Sequence, residues 1–276
     1  MRIASLNALS DIDDRPERLT QIFVEASGLG VDVLALQEVP NEVHGTIRDL
    51  ANAHGYAWQH TMTGVPGDEV ATFSRLPIDD SGSFTVIHPP PISSRRFAWV
   101  QVQGFLIANV HLTWGAHNEA ARLREVSAIE IFVADAVTAH AGAATTDQQP
   151  QAARPELVSV LVGDFNAEPD NDCIRFLRGK TTINGASTYW TEATLGTDLQ
   201  HTPTTRETNQ WGQQSARSRG VDASLLYPRR IDFIFTRGWR HGGRGTMRNT
   251  RLFGTSVTPG GSELSDHYGW VTDLER

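Results

Sequence analysis

Cysteine, lysine and long apolar runs are scarce in this chain of 276 residues. Cys173 is the single cysteine, so no intrachain disulfide is possible and a disulfide-stabilised secreted fold is not expected. No apolar run approaches the length that spans a bilayer. The N-terminal residues predict a strand rather than a signal peptide. We therefore expect a cytoplasmic protein without a transmembrane segment.

The scarcities also exclude several chemistries. With one cysteine the chain cannot form a zinc site from cysteine pairs. Lys180 is the only lysine, and neither a phosphate-binding P-loop nor a GxSxG nucleophile elbow is present. The net charge of −8 argues against wrapping nucleic acid over a broad basic surface, although a local basic groove is compatible with it.

What remains is a pattern of apolar runs that alternate with amphipathic stretches. The runs are nearly continuous, which predicts strands covered on both faces. Strands are predicted at residues 1–7, 31–37, 70–74, 97–102, 105–110, 157–162, 231–236 and 268–272. Helices are predicted at residues 16–27, 41–54, 118–140 and 171–177.

Two polar stretches interrupt this pattern. The segment near residues 141–156 is rich in Ala, Thr, Gln and Pro and predicts a flexible connection between two halves. Neither half holds all the chemical residues, so we expect one domain over residues 1–276 with its site at the seam. Residues 197–228 predict a long ordered loop that contacts substrate. Trp190 and Trp211 either stack on a base or anchor this loop.

Polar side chains follow several predicted strands where each strand ends. Glu38 suits Mg²⁺ or Mn²⁺ as a hard oxygen ligand, and Asn7 either ligates the metal or orients Glu38. Asp164 can take a proton from attacking water, and Asn166 can bond a phosphate oxygen. His111 ends a further strand, and its side chain is suitable for a role in an active site. The alternative for each is structural, as a solvated strand end or a turn residue.

The last motif is Ser265-Asp266-His267. Its imidazole can stabilise negative charge on a pentacoordinate phosphorus or donate a proton to the leaving oxygen. Asp232 lies in an apolar strand, where an isolated acid needs a partner. Asp232 is therefore a candidate hydrogen-bond partner that would raise the pKa of His267 and fix its tautomer, and the alternative is a surface acid at a strand edge. These residues suit metal-assisted attack on a phosphate.

Arginine is dense between residues 206 and 251, and Arg95 and Arg96 form a further pair. Arginine forks bind phosphate in a bidentate manner, so Arg96 is a candidate contact for the substrate phosphate. The alternative is a solvated surface in a lysine-poor chain.

Taken in order, these motifs resemble the endonuclease/exonuclease/phosphatase superfamily with the DNase I-like fold. Each motif alone is weak, but the ordered set covers residues 2 to about 274, and residues 74–78 resemble the strand-and-turn segment of that family. The set is Asn7, Gln37-Glu38, Asn109-Val110-His111, Gly163-Asp164-Phe165-Asn166, Ile231-Asp232 and Ser265-Asp266-His267.

The resemblance implies an α/β fold, a four-layered α/β sandwich of two central mixed β-sheets flanked by helices. It also implies that Asn7, Glu38 and Asp266 bind Mg²⁺ or Mn²⁺ and that Asp164 activates water. Asn166 and His111 would hold phosphate oxygens. His267, supported by Asp232, would stabilise the transition state.

Within that superfamily the ending of the chain is most similar to the bacterial phosphodiesterase and sphingomyelinase branches. Asn109-Val110-His111 stands where abasic-site endonucleases usually carry tyrosine, which argues against that repair role. We expect a hydrolase of phosphodiester or phosphomonoester bonds whose substrate is a small molecule or nucleic acid. No obligate protein partner is indicated. The alternatives are a nonspecific DNA or RNA endonuclease and a non-catalytic binding protein of the same fold.

Overall fold

The computed structural model describes residues 1–9, 15–62, 69–143, 156–238 and 242–276. The strands within these ranges are β1 (Arg2–Asn7), β2 (Val33–Gln37), β3 (Trp58–Thr61), β4 (Val70–Ser74), β5 (Asp80–Val86), β6 (Arg95–Val102), β7 (Phe105–His111), β8 (Val158–Asp164), β9 (Trp190–Glu192), β10 (Asp232–Arg237), β11 (Met247–Phe253) and β12 (Gly269–Leu274). The α-helices are α1 (Arg15–Gly28), α2 (His44–Ala53), α3 (Glu119–Ala143), α4 (Asp172–Leu177) and α5 (Gln210–Ser218).

The strands form two sheets of the same size and plan. The first sheet has the order β11-β12-β1-β2-β4-β3, and the second has the order β5-β6-β7-β8-β10-β9. Each contains one parallel pair, β1 with β2 and β7 with β8, while the other neighbours are antiparallel. The prediction of two mixed sheets is confirmed.

Apolar side chains fill the space between the sheets and cover both outer faces. Ile3, Ile107 and Trp270 belong to the cluster between the sheets. On the outer face of the first sheet, α1 and α2 pack through residues such as Phe23. On the outer face of the second sheet, α3 and α4 pack through residues such as Ile129. The result is the expected four-layered sandwich, and it explains why most strand sequences are apolar on both faces.

The structure departs from the predicted elements mainly in polar segments. The helix predicted at 41–54 begins with a 3-10 turn, Asn41–Val43, before α2. Residues 197–228 are not a plain loop, because they contain α5 and two 3-10 turns. Asn209 caps α5 by accepting hydrogen bonds from the backbone N–H groups of Trp211 and Gly212.

The predicted flexible connection falls mostly outside the described residues. Residues 141–143 belong to α3, and residues 144–155 are not described. The organisation as a single domain over residues 1–276 stays a prediction. Among the described helices, none combines the length and the apolar character that crossing a membrane requires.

Trp190 and Trp211 anchor the structure rather than present a stacking surface. Both are buried. The indole N–H of Trp190 donates to Glu130 Oε2 at 2.9 Å, and that of Trp211 donates to the backbone oxygen of Glu263 at 2.6 Å. Of the two roles left open by the sequence, the structural one is therefore observed.

Candidate active site

One edge of the sandwich collects the polar side chains that follow the strands. The parallel pairs β1/β2 and β7/β8 end at this edge, and β10 and β12, which run antiparallel to their neighbours, begin there. Strand direction therefore brings distant sequence motifs together. The residues near this edge are Asn7, Glu38, His111, Asp164, Asn166, Asp232, Asp266 and His267.

Asp164 lies at the centre of this cluster and is buried. Its Oδ1 accepts the backbone N–H of Asn166 at 2.7 Å, and its Oδ2 accepts the side-chain amides of Asn7 at 3.1 Å and Asn166 at 3.3 Å. These three hydrogen bonds fix the orientation of the carboxylate. The same Oδ2 lies 3.6 Å from His111 Nε2 and 3.9 Å from His267 Nε2.

His267 and Asp232 form the pair predicted from the sequence. His267 Nδ1 lies 3.0 Å from Asp232 Oδ2, and both side chains are buried. Burial by itself would lower the pKa of His267, but the carboxylates of Asp232, Asp266 and Asp164 together raise that pKa well above its usual value. The surrounding carboxylates therefore favour the imidazolium form of His267, whose Nε2 lies 3.9 Å from Asp266 Oδ1.

His111, in contrast, favours the neutral form of its ring. Burial lowers the pKa of His111 to about 4, since the raising effect of Asp164 is smaller and Arg95 opposes it. Its ring is therefore neutral at pH 7. Nε2 faces Glu38 Oε1 at 3.8 Å as well as Asp164, and the buried Nδ1 has no hydrogen-bond partner within the described part of the chain.

The oxygen donors of the cluster fit a hard divalent cation. The side chains of Glu38 and Asp266 are 29% and 21% exposed, so both are reachable from solvent. Burial raises the pKa of Asp266, and the charges of Glu38 and Asp164 raise it further against the lowering effect of His267. A bound cation would relieve the repulsion between these carboxylates. Mg²⁺ and Mn²⁺ prefer oxygen ligands.

A second possible ligand set lies next to this one. Asp164, Asp232 and His267 offer atoms that lie within 4.8 Å of one another. All three are buried, however, and Asp232 is already bonded to His267. The more accessible pair of Glu38 and Asp266 therefore fits a cation better. Asn7 donates its amide N–H to Glu38 Oε1 at 3.0 Å while its Oδ1 accepts the backbone N–H of Leu9, which supports an orienting role.

The backbone at the site is unusual. Glu38 and Asn166 have φ values of +54° and +48°, a region that residues other than glycine rarely adopt. Gly163, just before Asp164, has φ +145°, and a Cβ there would lie 1.9 Å from the carbonyl oxygen of Val110. Only glycine lets β7 and β8 approach this closely beside Asp164.

Beneath the cluster, a buried hydrogen-bond network joins the two sheets. Gln37 Nε2 donates to Asn109 Oδ1 at 2.7 Å, and Asn109 Nδ2 donates to the backbone oxygens of Leu36 at 3.2 Å and Ala71 at 3.1 Å. Gln37 and Asn109 are fully buried. The network fixes the position of β7, and hence of His111, relative to the first sheet.

Sequence reasoning did not identify two residues that hold the loops around the site. The buried guanidinium of Arg18 donates to the backbone oxygens of Ala8 at 3.1 Å, Leu9 at 2.9 Å and Leu264 at 2.7 Å. Ser265 Oγ donates to the backbone oxygen of Asn7 at 2.6 Å. Ser265 stood inside a quoted motif, but Arg18 lies on α1 with no local signal that marks it.

The structure places Arg96 near the end of the second sheet that carries His111. Its Nη2 donates to Ser83 Oγ on β5 at 3.3 Å. A contact with substrate phosphate stays a prediction for this residue. The neighbouring Arg95 is the one whose charge acts on His111.

The chain belongs to the endonuclease/exonuclease/phosphatase family, because the family model matches residues 4–267. The resemblance inferred from the ordered motifs is thereby confirmed. Sequence comparison with curated proteins gives no match.

Solved structures share the fold at low sequence identity. Truncated TDP2 from Caenorhabditis elegans has a TM-score of 0.68 and 14% identity, covering 100% of this chain and 97% of that chain. A functionally unknown conserved protein from Enterococcus faecalis V583 has a TM-score of 0.66 and 18% identity, covering 99% of each chain. TDP2 from D. rerio complexed with single strand DNA product has a TM-score of 0.68 and 14% identity, covering 100% of this chain and 99% of that chain. At these identities the similarity shows the fold alone.

Proposed function

We propose that the chain is a divalent-cation-dependent phosphoesterase that hydrolyses phosphodiester or phosphomonoester P–O bonds by in-line attack of water. The observation that carries this proposal is the position of the Asp164 carboxylate, whose Oδ2 lies 3.6 Å from His111 Nε2 and 3.9 Å from His267 Nε2, with His267 paired to Asp232. A buried carboxylate beside a neutral and a charged imidazole can accept a proton on one side while positive charge is supplied on the other.

Asp164 positions the attacking water and accepts its proton. Its carboxylate is fixed by Asn7 and Asn166, so little reorganisation is needed before attack. Asn166 and neutral His111 donate hydrogen bonds to non-bridging phosphate oxygens. The neutral imidazole has one N–H for this purpose, and Asn166 would redirect the amide N–H that makes its longer bond, 3.3 Å, to Asp164 Oδ2.

His267 stabilises the charge that develops on the phosphorus oxygens and donates a proton to the leaving oxygen. Asp232 binds Nδ1–H, which leaves Nε2–H for the substrate. The attraction between this fixed positive charge and the developing negative charge is stronger in a buried site than in water, because the low dielectric screens it less.

Glu38 and Asp266 would hold the Mg²⁺ or Mn²⁺ ion, with Asn7 orienting Glu38. When bound, the cation supplies charge neutralisation on the phosphate oxygens. The three carboxylates of Glu38, Asp164 and Asp266 also need such a charge before an anionic phosphate can enter beside them.

A nucleic acid is the second candidate substrate, as in a nonspecific endonuclease. It is favoured by the neighbour of D. rerio, whose complex contains a single strand DNA product. The net charge of −8 favours a small phosphoester instead, because it opposes sequence-independent binding to the DNA backbone. An endonuclease would nick supercoiled plasmid in a manner that falls steeply with salt.

The test is hydrolysis of bis-(p-nitrophenyl) phosphate, p-nitrophenyl phosphate and supercoiled plasmid with Mg²⁺, Mn²⁺ or chelator. Asp164→Asn and His267→Gln remove the proposed base and the proposed cationic donor. We expect kcat to fall about 10²- to 10⁴-fold in each, as for loss of a general acid or base. The preferred substrate then separates a small-molecule phosphoesterase from an endonuclease.

Two exposed positions give matched controls. Asp49→Asn and His201→Gln make the same chemical changes away from the cluster and should keep the wild-type rate. Equal turnover in wild type and Asp164→Asn would disprove the assigned site. An inactive wild type on all three substrates would favour the non-catalytic binding protein.

A further inference from the structure

A pocket of about 270 Å³ opens beside the candidate active site. It is larger than the cavity of about 150 Å³ that holds a benzene molecule in another protein, so a single aromatic ring fits within it. The residues around it that bear on its chemistry are Arg95, Thr113, Trp114, His117 and Asn118.

The pocket adjoins the phosphate-handling part of the cluster. Thr113 follows His111 by two residues, and Arg95 Nε lies 3.4 Å from Thr113 Oγ1. Arg95 acts electrostatically on His111. Asn166 Nδ2 donates to the backbone oxygen of Leu112 at 3.0 Å, which ties the same loop to the proposed phosphate donors. A group bound in the pocket is therefore next to a phosphate bound at His111.

Trp114 presents an exposed indole on a fixed backbone. The residue is 61% exposed. Arg122, which is buried, donates to the backbone oxygens of Thr113 at 3.0 Å and Gly115 at 2.8 Å, and Asn118 donates to that of Trp114 at 2.7 Å. An exposed indole on a fixed backbone can stack on a ligand with little loss of conformational freedom.

A positive charge stands over this ring. The guanidinium carbon of Arg219 lies 5.7 Å from the centroid of the Trp114 ring. Arg219 follows α5, whose first turn is held near Asp266, because Asn209 Nδ2 donates to the backbone oxygen of Ser265 at 2.9 Å. Helix α5 thus extends from the proposed cation ligands to the rim of the pocket.

We propose that this pocket is a subsite for a planar aromatic group joined to the scissile phosphate, such as a nucleobase or an aryl group. The inference rests on the proposed function and names its substrate class. Trp114 offers the stacking face, and Arg95 and Arg219 favour an electron-rich ring and a phosphate. The same two arginines repel a quaternary ammonium group, so a choline phosphate lipid is disfavoured.

The test is binding, measured by titration calorimetry with Mg²⁺ present on proteins that carry Asp164→Asn, so that the phosphomonoester ligands are not hydrolysed during the titration. The ligands are thymidine 5′-phosphate, phenyl phosphate, methyl phosphate and phosphocholine. We expect the two aromatic ligands to bind about tenfold tighter than methyl phosphate, as base stacking on an aromatic side chain allows. Phosphocholine should bind most weakly. Tighter binding of thymidine 5′-phosphate than of phenyl phosphate would identify a nucleobase site. Equal binding of the two would show that the pocket accepts any aromatic ring.

Variants of Trp114 and Arg219 separate the contribution of the indole ring to binding from that of the positive charge. Trp114→Ala should reduce aromatic binding to the level of methyl phosphate, and Trp114→Phe should restore part of it. Arg219→Gln should weaken the discrimination against phosphocholine. Trp58→Ala, at another exposed tryptophan on β3, should change nothing.

An aromatic preference that survives in Trp114→Ala, or that is absent when Trp114 is intact, would overturn the subsite. Hydrolysis of bis-(p-nitrophenyl) phosphate is measured on the same Trp114 variants with Asp164 intact. Turnover without an aromatic preference contradicts the subsite alone. An aromatic preference lost in Trp114→Ala, without any turnover, supports the subsite and contradicts the proposed reaction.

Discussion

Binding of a divalent cation to Glu38 and Asp266 should be visible in thermal stability, independently of turnover. A ligand at 100 times its Kd stabilises the folded state by about 2.7 kcal/mol. A chain of 276 residues has an unfolding entropy near 0.6 kcal/mol/K at its Tm, from about 2.1 cal/mol/K per residue. We therefore expect saturating Mg²⁺ or Mn²⁺ to raise Tm by about 4–5 °C.

The effect of Glu38→Gln on Tm should depend on whether the cation is present. Without cation, Glu38 disfavours the ionised form of Asp266, so removal of its charge relieves repulsion. The glutamine oxygen can still accept the hydrogen bond that Asn7 donates. In chelator the variant should therefore melt no lower than wild type, whereas with Mg²⁺ it should melt lower because the cation no longer binds.

Differential scanning calorimetry in EDTA, Mg²⁺ and Mn²⁺ measures both effects. Glu42→Gln is the matched control, since Glu42 is an exposed carboxylate close to Glu38 in sequence. It should keep the full shift with cation. A full Mg²⁺ shift in Glu38→Gln would place the ion elsewhere, and a wild type that responds to neither cation would refute the metal site.

Three further variants test the framework around the site. Gly163→Ala forces a Cβ to within 1.9 Å of the Val110 carbonyl oxygen at φ +145°, so we expect loss of about 3 kcal/mol or more in denaturant unfolding. Asn109→Ala leaves the Gln37 amide without its 2.7 Å acceptor and should cost about 2–4 kcal/mol by the same measurement. Arg18→Met removes three hydrogen bonds to loop carbonyls, and we expect a lower kcat with a higher apparent Kd for Mg²⁺, because the loops that carry the proposed ligands lose their common support.

The sequence was most informative where strands are buried and end at polar residues. The apolar runs that became β2, β7, β8 and β10 were predicted because burial on both faces leaves a continuous signal. The pair of His267 and Asp232 was predicted because an acid in an apolar strand needs a partner.

Strands with polar sequences escaped prediction. β5 reads Asp-Ser-Gly-Ser-Phe-Thr-Val and lies at an edge of the second sheet with most of its residues partly or fully exposed. β11, at an edge of the first sheet, carries two arginines and an asparagine. An edge strand is stabilised by pairing with the neighbouring strand. The periodicity of its own sequence does not show which strand that neighbour is.

Tertiary contacts also decided the roles of single residues. The arginine of α1 that holds two site loops lies in an ordinary amphipathic sequence, and its partners are backbone oxygens up to 246 positions away. Trp114 and Arg219 are 105 positions apart, and only the placement of α5 brings them together. Such contacts follow from topology, so no local pattern predicts them.

The charge balance of the cluster indicates an order of binding. Glu38, Asp164, Asp232 and Asp266 bring four carboxylates to a space that also holds His267, whose charged form these neighbours favour, and that Arg95 adjoins beside His111. A phosphate that enters before the cation meets net repulsion, and a dianionic monoester meets more of it than a monoanionic diester. Dependence on cation concentration should therefore be steeper for p-nitrophenyl phosphate than for bis-(p-nitrophenyl) phosphate, which links the arrangement of carboxylates directly to the choice between phosphomonoesters and phosphodiesters.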